Sequence, residues 1–267
     1  MNNISFPGLG ISLDISPVAF SIGAKPIYWY AIIILAGFLA GLLFVAKDSK
    51  KYGLPSENVW DIAIIGLLSG IVCARIYYVL FALDEFESFW DIFKIWNGGL
   101  AIYGGLIGGI ASAAVYCKIK KLDFLNACDV CCCGIFIGQA IGRWGNFVNT
   151  EVYGGPTSLP WGMSVNGAPP VHPLFLYESV WNLIGLVIYC ILRPKKKANG
   201  QLICFYIGWY SLGRLFLEGM RNPEYILYAV PGAVGISQIV AAIGIIIAVA
   251  GFIVVSRAER KKAHNNA

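Results

Sequence analysis

Charge is what this sequence has least of. Of its 267 residues only 13% are Asp, Glu, Lys or Arg, about half the share of a soluble domain. Histidine is nearly absent, with His172 and His264 alone. No GxSxG turn and no HExxH pair occur, which argues against a serine hydrolase of that type and a zinc hydrolase of that type. A second CxxC pair is also missing. The run Cys128-Asp129-Val130-Cys131-Cys132-Cys133 therefore reads as small polarizable packing rather than a metal site. The segment from 144 to 173 contains no Lys or Arg at all. The first 26 residues are polar or broken by Pro7, Pro17 and Pro26, so no cleavable signal is expected there.

What is present is apolar sequence. Hydrophobic residues make up 58% of the chain, and mean hydropathy is +0.69. Seven runs approach the roughly 20 residues that cross a bilayer as a helix. They cover about 27–46, 59–83, 98–117, 124–143, 174–192, 201–219 and 235–256. The expected fold is an all-α integral membrane protein with seven transmembrane helices. An outer-face arm occupies 1–26, and the helical domain occupies 27–256 with a long outer loop at 144–173. A tail follows at 257–267.

The basic residues orient it. Lys47, Lys50 and Lys51 follow the first run, Lys118, Lys120 and Lys121 the third. Arg193 and Lys195–Lys197 follow the fifth, Arg257, Arg260, Lys261 and Lys262 the seventh. These are most of the 20 Lys and Arg, and all fall on one side; Lys25, Lys94 and Arg221 fall on the other. An excess of this kind marks the cytoplasmic face, so the N-terminus is expected outside and the C-terminus inside. The net charge of +5 is this topology signal and implies no nucleic-acid partner.

Arg75, Arg143 and Arg214 fall within the runs themselves, where ionisable groups are costly and usually functional. Arg143 opens the densest polar stretch, Arg143-Trp144-Gly145-Asn146-Phe147-Val148-Asn149-Thr150-Glu151. A plain alternative is that Arg143 snorkels and the Asn and Gly residues form a turn. Alternation of the runs brings Tyr30, Tyr103, Glu178 and the three arginines to the outer half, joined by Asn146, Glu151 and His172 from the loop. Tyr210, Arg214, Glu218 and Arg221 share one helical face. Arg214 with Glu218 reads either as a structural ion pair or as part of a substrate site. The acids of the 84–96 loop (Asp84, Glu85, Glu87, Asp91) read as solvated charge. Three arginines with few acids nearby make an anion site, and guanidinium forks match phosphate. At headgroup depth that phosphate belongs to a membrane lipid. An enzyme attacking such a lipid needs a clamp for the departing phosphate and a way to remove the nucleophile's proton. A transporter or flippase for an anionic lipid is the rival. It lacks a matching inner set of polar groups and a visible inverted repeat.

The stretch Gly142-Arg143-Trp144-Gly145-Asn146-Phe147-Val148-Asn149-Thr150-Glu151-Val152-Tyr153-Gly154 resembles the signature of the bacterial prolipoprotein diacylglyceryl transferases. So do His172-Pro173 with Leu176-Tyr177-Glu178, and Arg214-Leu215-Phe216-Leu217-Glu218 with Arg221. Asn97-Gly98-Gly99, Tyr103-Gly104-Gly105-Leu106-Ile107-Gly108 and Arg75 in Ala74-Arg75-Ile76-Tyr77-Tyr78-Val79 fit as well. The resemblance implies transfer of diacylglyceryl from phosphatidylglycerol to the lipobox Cys thiol of a prolipoprotein, with no cofactor or metal, in the bacterial cytoplasmic membrane. It implies that Arg143 and Arg214 hold the phosphate and that Asn146, Glu151, Gly154, Tyr30 and Tyr210 line or support the site. Arg75, His172 and Glu218 join the substrate-binding set. The family's members often carry His where this chain has Tyr103, and a phenol is a poor base at neutral pH. Glu151 and His172 are the other candidate bases. The favoured reading is that the thiol, with an ordinary pKa of about 8.5, ionises beside the guanidiniums without a dedicated base.

Overall fold

The structure is a computed structural model that describes residues 1–23, 25–86, 88–230 and 234–265. Glu87 of the acidic loop and the last two residues of the tail fall outside those described. Among the described residues seven long helices organise the chain: α1 (Trp29–Asp48), α2 (Ser56–Phe81), α3 (Ile102–Ile119), α4 (Phe124–Asn149), α5 (Leu174–Leu192), α6 (Gln201–Glu218) and α7 (Ile236–Asn265). Each coincides with one of the seven apolar runs. Six of the seven are long and apolar enough to cross a membrane. The exception is α6, whose 18 residues include Ser211, Arg214 and Glu218. Its apolarity falls short because one face carries partnered polar groups instead of facing lipid; Ser211, Gly213 and Glu218 are all buried.

The arm is built of short strands. It forms β1 (Asn2–Phe6), β2 (Ile11–Ile15), β3 (Val18–Ile22) and β4 (Lys25–Tyr28). Further short strands are β5 (Ser164–Val165), β6 (Tyr228–Val230) and β7 (Val234–Gly235). One sheet runs β2-β1-β5, all antiparallel, with Ile4 opposite Leu13 on one side and Val165 on the other. The period-two alternation Ile4/Phe6 and Ile11/Leu13/Ile15 around Pro7-Gly8 is a hairpin pattern that helix-length windows overlook. Ile4 is fully buried with Phe147, Met163 and Phe175, so the hairpin is packed on the ends of α4 and α5.

The chain divides into two compact units, Met1–Leu43 with Cys131–Ala267, and Phe44–Val130. In the first, Gly37 and Gly41 of α1 meet Gly138 and Gly134 of α4 backbone to backbone; a Cβ on Gly41 would run into the Gly134 carbonyl. Close approach through small residues is how helices associate without a hydrophobic driving force. α5 and α6 are fastened by a reciprocal clasp. Trp181 and Trp209 stack at 4.4 Å, and each indole N–H donates to the other residue's carbonyl at 3.0 Å. Gly213 lies over Trp181 and Gly185 over Trp209, leaving room for both rings. In the second unit Gly104 and Gly108 of α3 press on Cys73 and Ala74 of α2. Tyr116 at the other end of α3 donates to Asp61 and Asn58 at 2.5 and 2.8 Å.

Candidate active site

α4 runs six residues beyond the expected end at 143, through Asn149. The glycines do not stop it, because Gly142 faces Ile34 and Gly145 lies under the Tyr30 ring. Phe147 is drawn into the apolar core. Arg143 and Asn146 therefore stand at i and i+3 on the last turns of a helix, not in a loop, and the turn begins at Thr150. There the chain is strained: Thr150 and Val152 both take left-handed φ values, 53° and 57°, a conformation that costs a β-branched residue dearly. The reversal folds Glu151 back onto α4. Its backbone N–H donates to the Asn146 carbonyl at 3.0 Å, and Asn146 Nδ2 donates to Glu151 Oε1 at 2.9 Å.

The Trp181–Trp209 clasp sets the register of α5 against α6. Glu178, one turn before Trp181, is thereby brought opposite Arg214, just over a turn beyond Trp209. Glu178 becomes a hub. Arg143 Nε pairs with Glu178 Oε2. Arg214 Nη1 and Arg221 Nη2 reach Glu178 Oε1 at 3.7 and 3.4 Å. Glu218 answers Arg214 Nη2 at 3.0 Å and Arg221 Nε at 3.3 Å. Within this ion-pair network three guanidiniums face two carboxylates, and a third carboxylate, Glu151, stands beside it on Asn146.

Exposure separates the three arginines. Arg221 is 9% exposed, whereas Arg143 and Arg214 keep 23% and 20%. The carboxylates are at 9% and 3%. Breaking such a buried network by removing one member costs about 3–5 kcal/mol. Burial lowers the pKa of Arg221, and neighbouring Arg214 lowers it further; a guanidinium nonetheless stays charged. Arg221 is thus the structural cation, and Arg143 with Arg214 hold donors toward open space. A small cavity of about 20 Å³ adjoins Arg214, lined also by Glu178, Trp181, Asn182, Tyr210, Gly213 and Leu217. Asn182 Nδ2 is bonded to the Glu178 carbonyl at 2.7 Å, but its Oδ1 is buried without a partner among the described residues.

The loop after α4 ties these elements together. Gly154 N–H donates to the His172 carbonyl, Gly155 N–H to the Met220 carbonyl, both at 2.9 Å, and Asn222 N–H to the Tyr153 carbonyl at 3.2 Å. A Cβ at Gly154 would strike His172 and the Met220 carbonyl, so only glycine lets this strand pass between the start of α5 and the end of α6. Beside it Tyr153 meets Tyr225 edge-on at 5.3 Å, and burial followed by that contact raises the Tyr225 pKa. His172 Nδ1 lies 3.3 Å from Tyr177 Oη, which accepts from Trp161 Nε1 at 2.8 Å.

The family model described as prolipoprotein diacylglyceryl transferase matches residues 17–254. The chain belongs to that family. It is 42% identical over 250 residues to the phosphatidylglycerol–prolipoprotein diacylglyceryl transferase of Clostridioides difficile, covering 93% of this chain and 97% of the relative. The protein of the same name from Lysinibacillus sphaericus is 42% identical over 265 residues, covering 94% and 96%. One from Clostridium perfringens is 41% identical over 260 residues, covering 92% and 97%.

Of the residues expected from sequence, the structure brings Arg143, Asn146, Glu151, Arg214, Glu218 and Tyr210 into one neighbourhood. Gly154 and His172 stand behind them as scaffold, and the Tyr30 ring packs on Gly145. Two expected members belong to the other unit. Tyr103 is on the first turn of α3 and 49% exposed. Arg75 is buried, and its guanidinium is spent on backbone: Nε on Ile92, Nη1 on Gly98 and Gly99, Nη2 on Asp91, at 2.7–2.9 Å. Asp91 in turn pairs with Lys94 at 2.5 Å, which holds its carboxyl below the ordinary range. The expectation of arginines with few acids nearby is corrected. Two glutamates are inside the cluster, because three bare guanidiniums could not be buried together. Glu178 and Arg221, which sequence reasoning brings to the outer face without giving either a role, are the hub and the structural cation. The available signal is Glu178, Ser179 and Asn182, three polar residues in an otherwise apolar helix.

Proposed function

We propose that this chain is a diacylglyceryl transferase acting on phosphatidylglycerol, with the thiol of a prolipoprotein's lipobox cysteine as acceptor. The names of its relatives supply the two substrates. In the reaction the thiolate sulfur attacks the glyceryl carbon that bears the phosphate. A C–S bond forms, the C–O bond to phosphorus breaks with its electrons going to oxygen, and glycerol phosphate departs. The thiol proton leaves to solvent or to a base.

The observation that carries this reading is the pair of part-exposed guanidiniums, Arg143 and Arg214, held in place by the buried Glu178 and Glu218. The leaving phosphate gains negative charge as the C–O bond breaks, and donors already fixed in place stabilise that growth. Glu178 and Glu218 fix them, so the guanidiniums need no reorganisation at the moment of reaction. The same positive field favours the thiolate over the thiol. Glu151 is held by Asn146 one turn from Arg143 and is the nearest carboxylate available as a base. In this reading α6 counts as a seventh span shielded by its neighbours. The N-terminus and the arginine cluster lie on the outer side of the bacterial cytoplasmic membrane, and the Lys-rich ends lie inside. The exported cysteine meets the lipid there.

The deciding assay is transfer of labelled diacylglycerol from phosphatidylglycerol to a lipobox peptide by purified protein, with Arg143→Ala alongside. Thioether product from the parent and none from the variant supports both the reaction and the clamp. Product from both removes the clamp. Lipid that is bound and moved across vesicles but stays chemically intact points to the transporter instead.

A further inference from the structure

A second lipid-shaped feature lies on the opposite face of α6 from the arginine cluster. The cluster's cavity is lined from Tyr210, Gly213, Arg214 and Leu217. Gln201, Phe205, Gly208 and Leu212 recur every three to four residues on the other face. Together with α7 they bound a groove of about 620 Å³, walled by Ala248, Val249, Phe252 and Ile253. Its floor is set by close helix contacts, Gly208 on Ala248 and Gly251 on Cys204. The walls are apolar and remain exposed at Val249, Phe252 and Ile253.

One end of the groove is basic. Lys195, Lys196 and Lys197 line it where α5 gives way to α6. Arg193, just before them, is turned inward over the Tyr189 ring at 5.8 Å and is not part of the rim. Gln201 fastens the mouth: its Oε1 accepts from Lys197 N–H and its Nε2 donates to Ser256 Oγ, both at 2.8 Å. Arg260 stands one turn beyond Ser256 and is exposed. Apolar walls the length of several helical turns, closing on a cationic rim, complement a chain with an anionic head.

We propose that this groove binds an anionic phospholipid of the surrounding bilayer, with an acyl chain between α6 and α7 and the phosphate at Lys195–Lys197. The site is separate from the transfer site because it uses the other face of α6 and the opposite helix end. It belongs to the leaflet on the Lys-rich side. A zwitterionic lipid fills the apolar walls equally well but forgoes most of the rim, whose lysines attract an anionic headgroup.

The test uses the full chain in nanodiscs with phosphatidylglycerol carrying a photoreactive diazirine in one acyl chain. Adducts are mapped by peptide mass spectrometry. Label is expected on the groove residues of α6 and α7. Lys195→Gln with Lys197→Gln should lower that label about tenfold or more, as should Val249→Trp, which fills the groove from its lipid-exposed side without touching charge. Label near Arg143 should be unchanged in both variants, which also shows that they are folded. A phosphatidylcholine analogue should label the groove weakly. Equal labelling by the choline lipid, no effect of either variant, or crosslinks from the groove to a second copy of the chain would each overturn the proposal.

Discussion

Arg75 and Arg143 are both arginines set into apolar helices, yet the protein uses them in opposite ways. Arg75 is answered by four backbone carbonyls from residues 91–99 and by no carboxylate among the described residues. Those carbonyls take four of its five N–H donors, and the result is a pinned loop. Arg143 is answered by one buried glutamate through Nε and by a long 3.5 Å contact from Nη1 to Asn146. Its far edge is left open. Neutral carbonyls satisfy a guanidinium without cancelling its charge, whereas a shared carboxylate fixes it in place and leaves donors over. Arg143 therefore keeps more of its fork unspent than Arg75 does.

The comparison can be broken most directly at Arg143. Arg143→Ala should cost about 10³-fold in kcat, and Arg143→Lys should recover little of it, because a single ammonium cannot both pair with Glu178 and reach the phosphate. Single-turnover transfer kinetics check this; a lysine variant near parental rate would show that charge alone suffices. Glu178→Gln strikes the hub instead. It should lower stability by about 3 kcal/mol, since three guanidiniums lose a shared counter-charge. Thermal unfolding in detergent reads the loss, and an unchanged Tm would show the hub to be dispensable.

Arg75→Met sharpens the contrast from the other side. Four carbonyls lose their donor, so unfolding should become easier by about 2 kcal/mol, while the turnover of protein that remains folded stays close to parental. Collapse of kcat in folded Arg75→Met would place Arg75 in the substrate-binding set. The smallest effect is expected at Tyr103. If the thiol ionises in the arginine field, Tyr103→Phe should keep kcat within about threefold. A variant as inactive as Arg143→Ala would make the phenol essential.

Much of the fold and of the site is legible in the residues themselves. The seven helices follow from runs of apolar residues, and Arg143 with Asn146 and Glu151 stands out because polar groups in such a setting are rare. The hairpin of residues 2–15 is harder to see, although its alternation is written in Ile4, Phe6, Ile11 and Leu13; a window tuned to spans averages that period away. The end of α4 is hidden because Gly142 and Gly145 read as breakers, when they are contact points for Ile34 and Tyr30.

Composition determined that this is a membrane-helical chain, because hydropathy acts locally along the sequence, and the one-sided Lys and Arg supplied the expectation of which helix ends share a face. The family motif pointed to the chemistry. Which arginine meets which acid was decided only by tertiary structure. Glu178 is 35 residues from Arg143 and 43 from Arg221 in the chain, and nothing local joins them. Their meeting depends on the register of α5 against α6, set by two indoles that each donate to the other's carbonyl, and a slip of one residue would turn Glu178 about 100° away from the cluster.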